Sequence, residues 1–141
     1  MEREISRAVY QYLLAQVPCG RVTHYEAICD YVSSVFGEPI YDCNGMIRVH
    51  NSAEWDILLA KVPFHREVSL SGMLSRGTDE DVKKLIAEGH TIVPYSKTNN
   101  SPKIKNVKNV WFDFDKEANV DPNILRYIDR KMSCVEYLSK D

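Results

Sequence analysis

Near the middle of the 141-residue chain stands the sequence Val62-Pro63-Phe64-His65-Arg66-Glu67-Val68. An apolar run that begins at Ile57 leads into it and favours a buried strand or extended segment ending at Pro63. The residues that follow, 69–77, are rich in serine and glycine and predict a loop. The stretch therefore joins a buried segment to a loop.

A helix is predicted directly after this loop. Thr78 precedes three acidic residues, a pattern that caps a helix and suits the positive end of its dipole. Val82, Leu85 and Ile86 give the helix an apolar face, and Gly89 is a natural end.

Two more helices are predicted before the stretch. Apolar residues recur at helical spacing over 5–17 and again over 27–35, with Pro18 and Gly20 between them. Thr23-His24-Tyr25-Glu26 has the pattern of a capping box, in which the Thr23 hydroxyl accepts from the Glu26 N–H. This arrangement is consistent with the start of a helix-turn-helix, and a short helix is also predicted within 42–50.

The last third of the chain predicts an extension. Residues 94–106 are rich in Pro, Ser, Thr and Asn and indicate a linker or exposed loop. Alternating apolar residues over 110–114 predict a strand. Asp121-Pro122 is a typical helix start, and the apolar residues from Ile124 to Leu138 form one face of a helix that we expect to pack on the preceding domain.

Composition indicates one globular domain, with 44% apolar and 27% charged residues. The chain has no apolar run long enough to cross a bilayer, and its N-terminus lacks the features of a signal peptide, so a cytoplasmic protein without membrane contact is expected. The net charge is −2, but residues 65–110 carry eight basic and five acidic residues. An anionic partner is therefore expected to meet this middle third.

The four cysteines, Cys19, Cys29, Cys43 and Cys134, form no CxxC pair and no tight Cys/His cluster. No metal site and no cofactor is predicted. Without a secretion signal, the cysteines are expected to be reduced and to act as small buried apolar side chains.

Three motifs in order resemble the DNA-binding domain of the alkylguanine-DNA alkyltransferases. The family's Pro-Cys-His-Arg-Val motif and Ser/Gly loop are matched by 63–75, and its Leu-Leu-x-x-Glu-Gly helix end falls within 83–90. Its Ile-Pro-x-Gly-x-x-x-x-Tyr stretch is matched by 17–25. The resemblance covers about residues 5–93.

The resemblance implies a mainly α, winged-helix-like domain over residues 1–93, with a helix-turn-helix and minor short strands. Residues 94–141 would then be a linker and a strand–helix extension packed on that domain.

Phe64 occupies the position of the family's acceptor cysteine. The family's reaction is attack by a thiolate on the alkyl carbon, which phenylalanine cannot perform. In this respect the chain is similar to the non-catalytic alkyltransferase-like branch. The resemblance implies a non-enzymatic protein that binds double-stranded DNA bearing 6-O-alkylguanine and holds the flipped base. Nucleotide-excision repair proteins would then act on the lesion.

The same resemblance implies roles for single residues. Tyr25 matches the tyrosine that crowds the target phosphate, and Arg48 lies one position from the family's intercalating arginine. Phe64 either forms an aromatic wall for the flipped base or fills the core. The remaining positions are the motif residues His65 and Arg66 and the pocket-bordering residues Gly72, Met73 and Leu74.

Two of these residues are expected to have structural roles. His65 has no thiol to serve and is expected to make buried hydrogen bonds. Glu88 matches the family's relay glutamate and is expected to be either a partner of His65 or a helix terminus. Arg66 is expected to brace the loop. The family's small-residue recognition helix and its Asn-Pro hinge are absent, with Asp56 in place of the asparagine.

Three other functions stay open. The domain can serve as a protein-interaction module, with residues 94–141 contacting a partner. It can be an active alkyltransferase that uses another thiol, although the residue directly after Pro63 is not a cysteine. It can be a winged-helix transcription regulator, although residues 42–56 hold one arginine against three acidic residues.

Overall fold

The structure is a computed structural model that describes residues 3–45 and 62–134. These ranges contain helices and short strands together, so the expectation of a mainly α fold is right only in that helix is the larger share. The helices are α1 (Arg7–Leu14), α2 (Tyr25–Phe36), α3 (Asp79–Ala87), α4 (Phe114–Glu117) and α5 (Pro122–Cys134). The strands are β1 (Arg3–Ser6), β2 (Ile40–Gly45), β3 (Ile92–Pro94) and β4 (Pro102–Ile104), and 3-10 turns cover Phe64–Arg66 and Val107–Asn109.

Strands β1 and β2 pair in parallel, with α1 and α2 in the connection between them. The helix predicted over 5–17 is therefore wrong at its start. The Ser6 hydroxyl accepts the N–H of Ala8 at 3.1 Å and caps a helix that begins only at Arg7. Strand β2 likewise replaces the first part of the helix predicted within 42–50, and the rest of that prediction lies outside the described residues.

The predicted capping box of α2 is wrong in its capping residue. His24 is the cap, and its Nδ1 accepts the N–H of Ala27 at 3.2 Å. Thr23 is instead held in an extended backbone pairing, donating to the carbonyl of Arg66 and accepting from the N–H of Val68, both at 2.8 Å. The motif stretch thus packs edge to edge with the residues that lead into α2.

Three other local predictions are confirmed. The Thr78 hydroxyl accepts the N–H of Asp81 at 3.1 Å and caps α3. Gly89 follows the end of α3 with φ +98°, a conformation that favours glycine. Asp121 accepts the N–H of Asn123 at 2.9 Å where α5 begins.

The region predicted as a linker or exposed loop and a strand is organised only partly as expected. Residues 95–100 form the exposed loop, but it joins the antiparallel pair β3–β4, and Ile104 in β4 is buried. The strand predicted over 110–114 is reduced to one bridge between Val22 and Trp111. It stops there because the Asp113 carboxylate accepts the N–H of Asp115 at 3.0 Å and starts α4.

Two apolar cores lie on either side of the motif stretch. The larger contains buried residues of α1, α2 and β2 together with Phe112, Phe114, Leu125 and Ile128. The smaller consists of Val22, Val68, Leu74, Leu85 and Ile104. Val62 belongs to the first core and Val68 to the second, so residues 63–67 cross the seam between them.

Helix α5 packs against α1, α2 and β1. The buried Asp129 accepts the N–H of Ser6 at 3.2 Å and links α5 to the start of α1. Residues beyond 93 therefore share the core of the N-terminal helices.

Candidate functional site

The seam between the cores is held by the carboxylate of Glu88, whose side chain is 11% exposed. The Arg66 guanidinium donates to both of its oxygens, from Nε at 3.0 Å to Oε1 and from Nη2 at 2.9 Å to Oε2. His65 Nε2 lies 2.6 Å from Oε2, and the Gly20 N–H donates weakly at 3.4 Å. Arg66 Nη1 also donates to the carbonyl of Val17 at 2.7 Å. One side chain thus joins all three motifs.

The position of Glu88 explains why its negative charge requires cationic partners. It is the C-cap of α3, where the helix dipole disfavours a negative charge. Burial would by itself raise the pKa of Glu88, but the hydrogen bonds from Arg66 and His65 outweigh it and hold the pKa at about 2. The carboxylate therefore stays charged and fixes both motif side chains, as expected for His65 and Arg66.

His90 lies close to this cluster and was not identified from the sequence. Its ring is buried, and its Nε2 has no hydrogen-bond partner within 3–45 and 62–134. Burial lowers the pKa of His90, and the nearby carboxylate of Glu88 opposes this shift only in part. Burial therefore favours the neutral form of His90 beside the cluster.

An aromatic cavity of about 330 Å³ opens beside Phe64. Its lining residues are Arg7, Tyr10, Tyr25, Phe64 and Glu67. The rings of Tyr10 and Tyr25 lie 5.5 Å apart, and the Tyr10 hydroxyl donates to Glu67. Tyr10, Glu67 and Arg7 were not predicted, because only the folded chain brings them to Phe64.

A cation lies over Phe64 from the loop that precedes α3. The Arg76 guanidinium lies 5.7 Å from the centre of the Phe64 ring. Its orientation is fixed by two hydrogen bonds to Asp81, at 2.9 and 2.7 Å. Arg76 is thus held against the ring while its charge is paired with Asp81.

A wider groove of about 610 Å³ adjoins the aromatic cavity, and Tyr25 and Glu67 line both. Met73 and Leu74 form part of its wall, and three serines add hydroxyls, at positions 69, 71 and 75. Gly72 is buried behind this wall with φ +88°, and a Cβ there would come within 2.9 Å of the Ile104 carbonyl. Only glycine fits this turn.

The hydroxyl of Tyr25 is engaged within the protein. It donates to Asp42 and accepts the N–H of Cys43 at 2.5 Å. Burial and the hydrogen bond to Asp42 raise the pKa of Tyr25, so the phenol is neutral at physiological pH. Tyr25 thus lines both cavities while its hydroxyl is hydrogen-bonded within the protein.

The predicted site residues thus fall into three groups. Tyr25 and Phe64 line the aromatic cavity, while Met73 and Leu74 line the groove with Gly72 behind them. His65 and Arg66 bind Glu88. Arg48 lies outside the described residues.

A third cavity, of about 370 Å³, lies between α2 and the chain around α4. Aromatic rings of Tyr31 and Trp111 line it together with the carboxylates of Asp30, Asp113 and Asp115. Aromatic faces and carboxylates both attract cations. We refer to it as the acidic cavity.

The cysteines whose side chains the structure describes divide by exposure, and Cys134 is not among them. Cys29 and Cys43 are buried as expected, whereas Cys19 is exposed in the turn before α2 and the expectation is wrong for it. The side chains described over 3–45 and 62–134 include no group of three His, Cys, Asp or Glu residues placed to hold a metal ion. None of the described helices has the length and apolar character to span a membrane.

No protein-family model matches the chain, and neither a curated protein nor a solved structure matches it.

Proposed function

We propose that the chain is a non-enzymatic DNA-binding protein with a winged-helix-like fold, which holds a flipped 6-O-alkylguanine in the aromatic cavity. The observation that carries the proposal is the lining of that cavity by Tyr10, Tyr25 and Phe64 at the position of the family's acceptor cysteine. Its volume of about 330 Å³ is within the range of small-ligand pockets, roughly 300–1,000 Å³.

The energetics of base flipping support an aromatic lining. Extruding a base costs a few kcal/mol, and least where pairing is already damaged. Stacking on an aromatic side chain returns about 1–3 kcal/mol. Arg7 lines the cavity and is a partner for the DNA backbone, while Arg76 lies against the Phe64 ring and is paired with Asp81. Phe64 supplies no nucleophile, so the lesion is held unchanged for repair proteins.

Lesion-selective binding is the test of this proposal. We expect the chain to bind a short duplex with one 6-O-methylguanine more tightly than the same duplex with guanine, at each of two salt concentrations. Phe64→Leu removes the aromatic face with little change in apolar volume. It should weaken lesion binding about tenfold, since about 1.4 kcal/mol of stacking corresponds to that factor. Fluorescence anisotropy with labelled duplexes measures both.

Two variants serve as controls for this experiment. Phe64→Trp keeps an aromatic face and should retain selectivity. Tyr95→Leu removes an exposed ring that lines neither cavity and should leave binding unchanged. Equal, weak binding of the two duplexes by the native chain would contradict the proposal.

The acidic cavity favours a second candidate function, a protein-interaction module. Its aromatic and carboxylate lining suits an arginine or lysine side chain of a partner protein. The cavity would repel DNA phosphates, so the two functions need different faces.

Binding of an arginine side chain tests this second function. N-acetylarginine amide should shift the indole N–H resonance of Trp111 at millimolar concentration, whereas the uncharged citrulline analogue should not. Asp115→Asn should abolish the shift, and Asp79→Asn, on the exposed start of α3, should keep it. Identical responses to both amides would refute a cation site.

A further inference from the structure

Two buried thiols face each other between α2 and β2. Cys29 Sγ lies 3.6 Å from Cys43 Sγ, and the residues are 6% and 0% exposed. A disulfide needs about 2.05 Å between the sulfurs, so an approach of roughly 1.5 Å separates the dithiol from a bond. Rotation of the two side chains can supply a movement of that size.

The backbone around the pair is fixed by a local connection. Helix α2 ends at Phe36 and is capped by Gly37, whose φ is +66°, and β2 begins three residues after this glycine, at Ile40. The Ser33 hydroxyl accepts the N–H of Ile40 at 2.9 Å and donates to the carbonyl of Cys29 at 2.9 Å. The strand is thereby tied to the turn of helix that carries Cys29, and the thiols are preset to meet.

We propose that Cys29 and Cys43 form a reversible redox site that a hydroperoxide converts from dithiol to disulfide. The Cys29 thiolate attacks one peroxide oxygen, the O–O bond breaks, and water leaves after protonation, with a sulfenic acid on Cys29. Cys43 then attacks this sulfur, the S–O bond breaks, and a second water leaves. Two electrons pass from the sulfurs to the peroxide, and two thiols plus hydrogen peroxide give one disulfide and two waters.

The order of the steps follows from the surroundings of each thiol. Cys29 keeps a small exposed area that a peroxide can reach, and contact with the Cys43 thiol lowers the pKa of Cys29. Cys43 is fully buried, and contact with the Cys29 thiol together with burial raises the pKa of Cys43. Cys29 is therefore the attacking thiol and Cys43 the resolving one.

The pair is connected to the aromatic cavity through Tyr25. Cys43 donates its backbone N–H to the Tyr25 hydroxyl, and Tyr25 lies one helical turn before Cys29 in α2. The Tyr25 hydroxyl is also hydrogen-bonded to the Cys29 side chain. Rotation of that side chain towards Cys43 changes this hydrogen bond, so oxidation alters the position of a ring that lines both cavities. A consequence for lesion binding rests on the function proposed above.

Peroxide treatment of the full chain tests the site. A Cys19→Ser chain, which lacks the exposed thiol, is exposed to hydrogen peroxide, denatured, alkylated and mapped by peptide mass spectrometry. We expect the Cys29 and Cys43 peptides to be joined, with loss of two hydrogens and reversal by dithiothreitol. Under the same conditions Cys43→Ser should give a sulfenic acid on Cys29 that a dimedone probe traps.

The peptide map of the Cys19→Ser chain, which keeps both Cys29 and Cys43, tests the proposal even if Cys43→Ser does not fold. Alkylation of both thiols after peroxide, or oxidation of Cys134 alone, would overturn the proposal. Lesion binding is measured separately on reduced and oxidised protein and is expected to differ at least twofold. A joined peptide with equal lesion binding would overturn the coupling through Tyr25 while leaving the disulfide established.

Discussion

Phe64→Cys is expected to turn the chain into an acceptor of one alkyl group from 6-O-benzylguanine. The native chain should take up none at residue 64, because phenylalanine offers no nucleophile. The expectation rests on the cluster next to this position: His65 Nε2 lies 2.6 Å from Glu88, whose carboxylate stays ionised. A thiol at residue 64 would have the adjacent histidine as its base. Intact-mass measurement after incubation would show the gain of one benzyl group.

The expected reaction transfers the benzyl group from the guanine oxygen to the sulfur introduced at residue 64. The thiolate attacks the benzylic carbon, the bond from that carbon to the guanine oxygen breaks, and guanine leaves as its neutral form after protonation. His65 takes the thiol proton, and Glu88 stabilises the resulting imidazolium. The transferred group stays on sulfur, so each chain reacts once.

Two controls make the Phe64→Cys result specific. Phe64→Ser introduces a side chain of nearly the same size as that of Phe64→Cys but without the thiol, and it should gain no benzyl group. This result would exclude reaction at the native cysteines. His65→Gln in the Phe64→Cys background should slow the reaction about 10²- to 10⁴-fold, the usual contribution of a general base. A folded Phe64→Cys chain that binds 6-O-benzylguanine without gaining mass would contradict the role given to the cluster.

Local signals in the sequence were sufficient to predict several contacts. Thr78 and Asp121 cap their helices as the residue types indicate, because a cap depends on atoms two or three residues away. The contact between His65 and Glu88 was predicted from the order of motifs, although 23 residues separate the partners. Periodicity alone does not contain that information.

Contacts between distant segments were the part that sequence patterns missed. The apolar spacing of residues 5–17 is helical, yet residues 3–6 form β1 because β2 offers a parallel partner almost forty residues later. Thr23 has the right chemistry for a cap, but its backbone pairs with the motif stretch and leaves capping to His24. The aromatic cavity likewise depends on Tyr10 from α1 meeting Phe64. Tertiary pairing overrides a local preference of comparable strength.

Glu88→Gln is expected to destabilise the fold by about 3 kcal/mol, within the range for removing one partner of a buried ion pair. The amide cannot neutralise Arg66, whose side chain is only 18% exposed, and it replaces a charge-assisted bond to His65. Urea unfolding followed by circular dichroism measures the change. Glu80→Gln is the matched control, because Glu80 is 76% exposed and forms only a surface pair with Lys84. It should cost no more than about 0.5 kcal/mol.

The pH dependence of stability distinguishes the charge of Glu88 from its shape. The pKa of Glu88 is about 2 in the folded chain and about 4.3 for an unfolded glutamate. A depressed carboxyl pKa contributes stability that is fully present above the unfolded value and is lost as pH falls towards the folded value. The native chain should therefore lose stability relative to Glu88→Gln between about pH 4 and pH 2. Over this range the difference between their free energies of unfolding should narrow. A difference that stayed constant from pH 7 to pH 2.5 would mean that packing of the side chain, not its charge, holds the three motifs together.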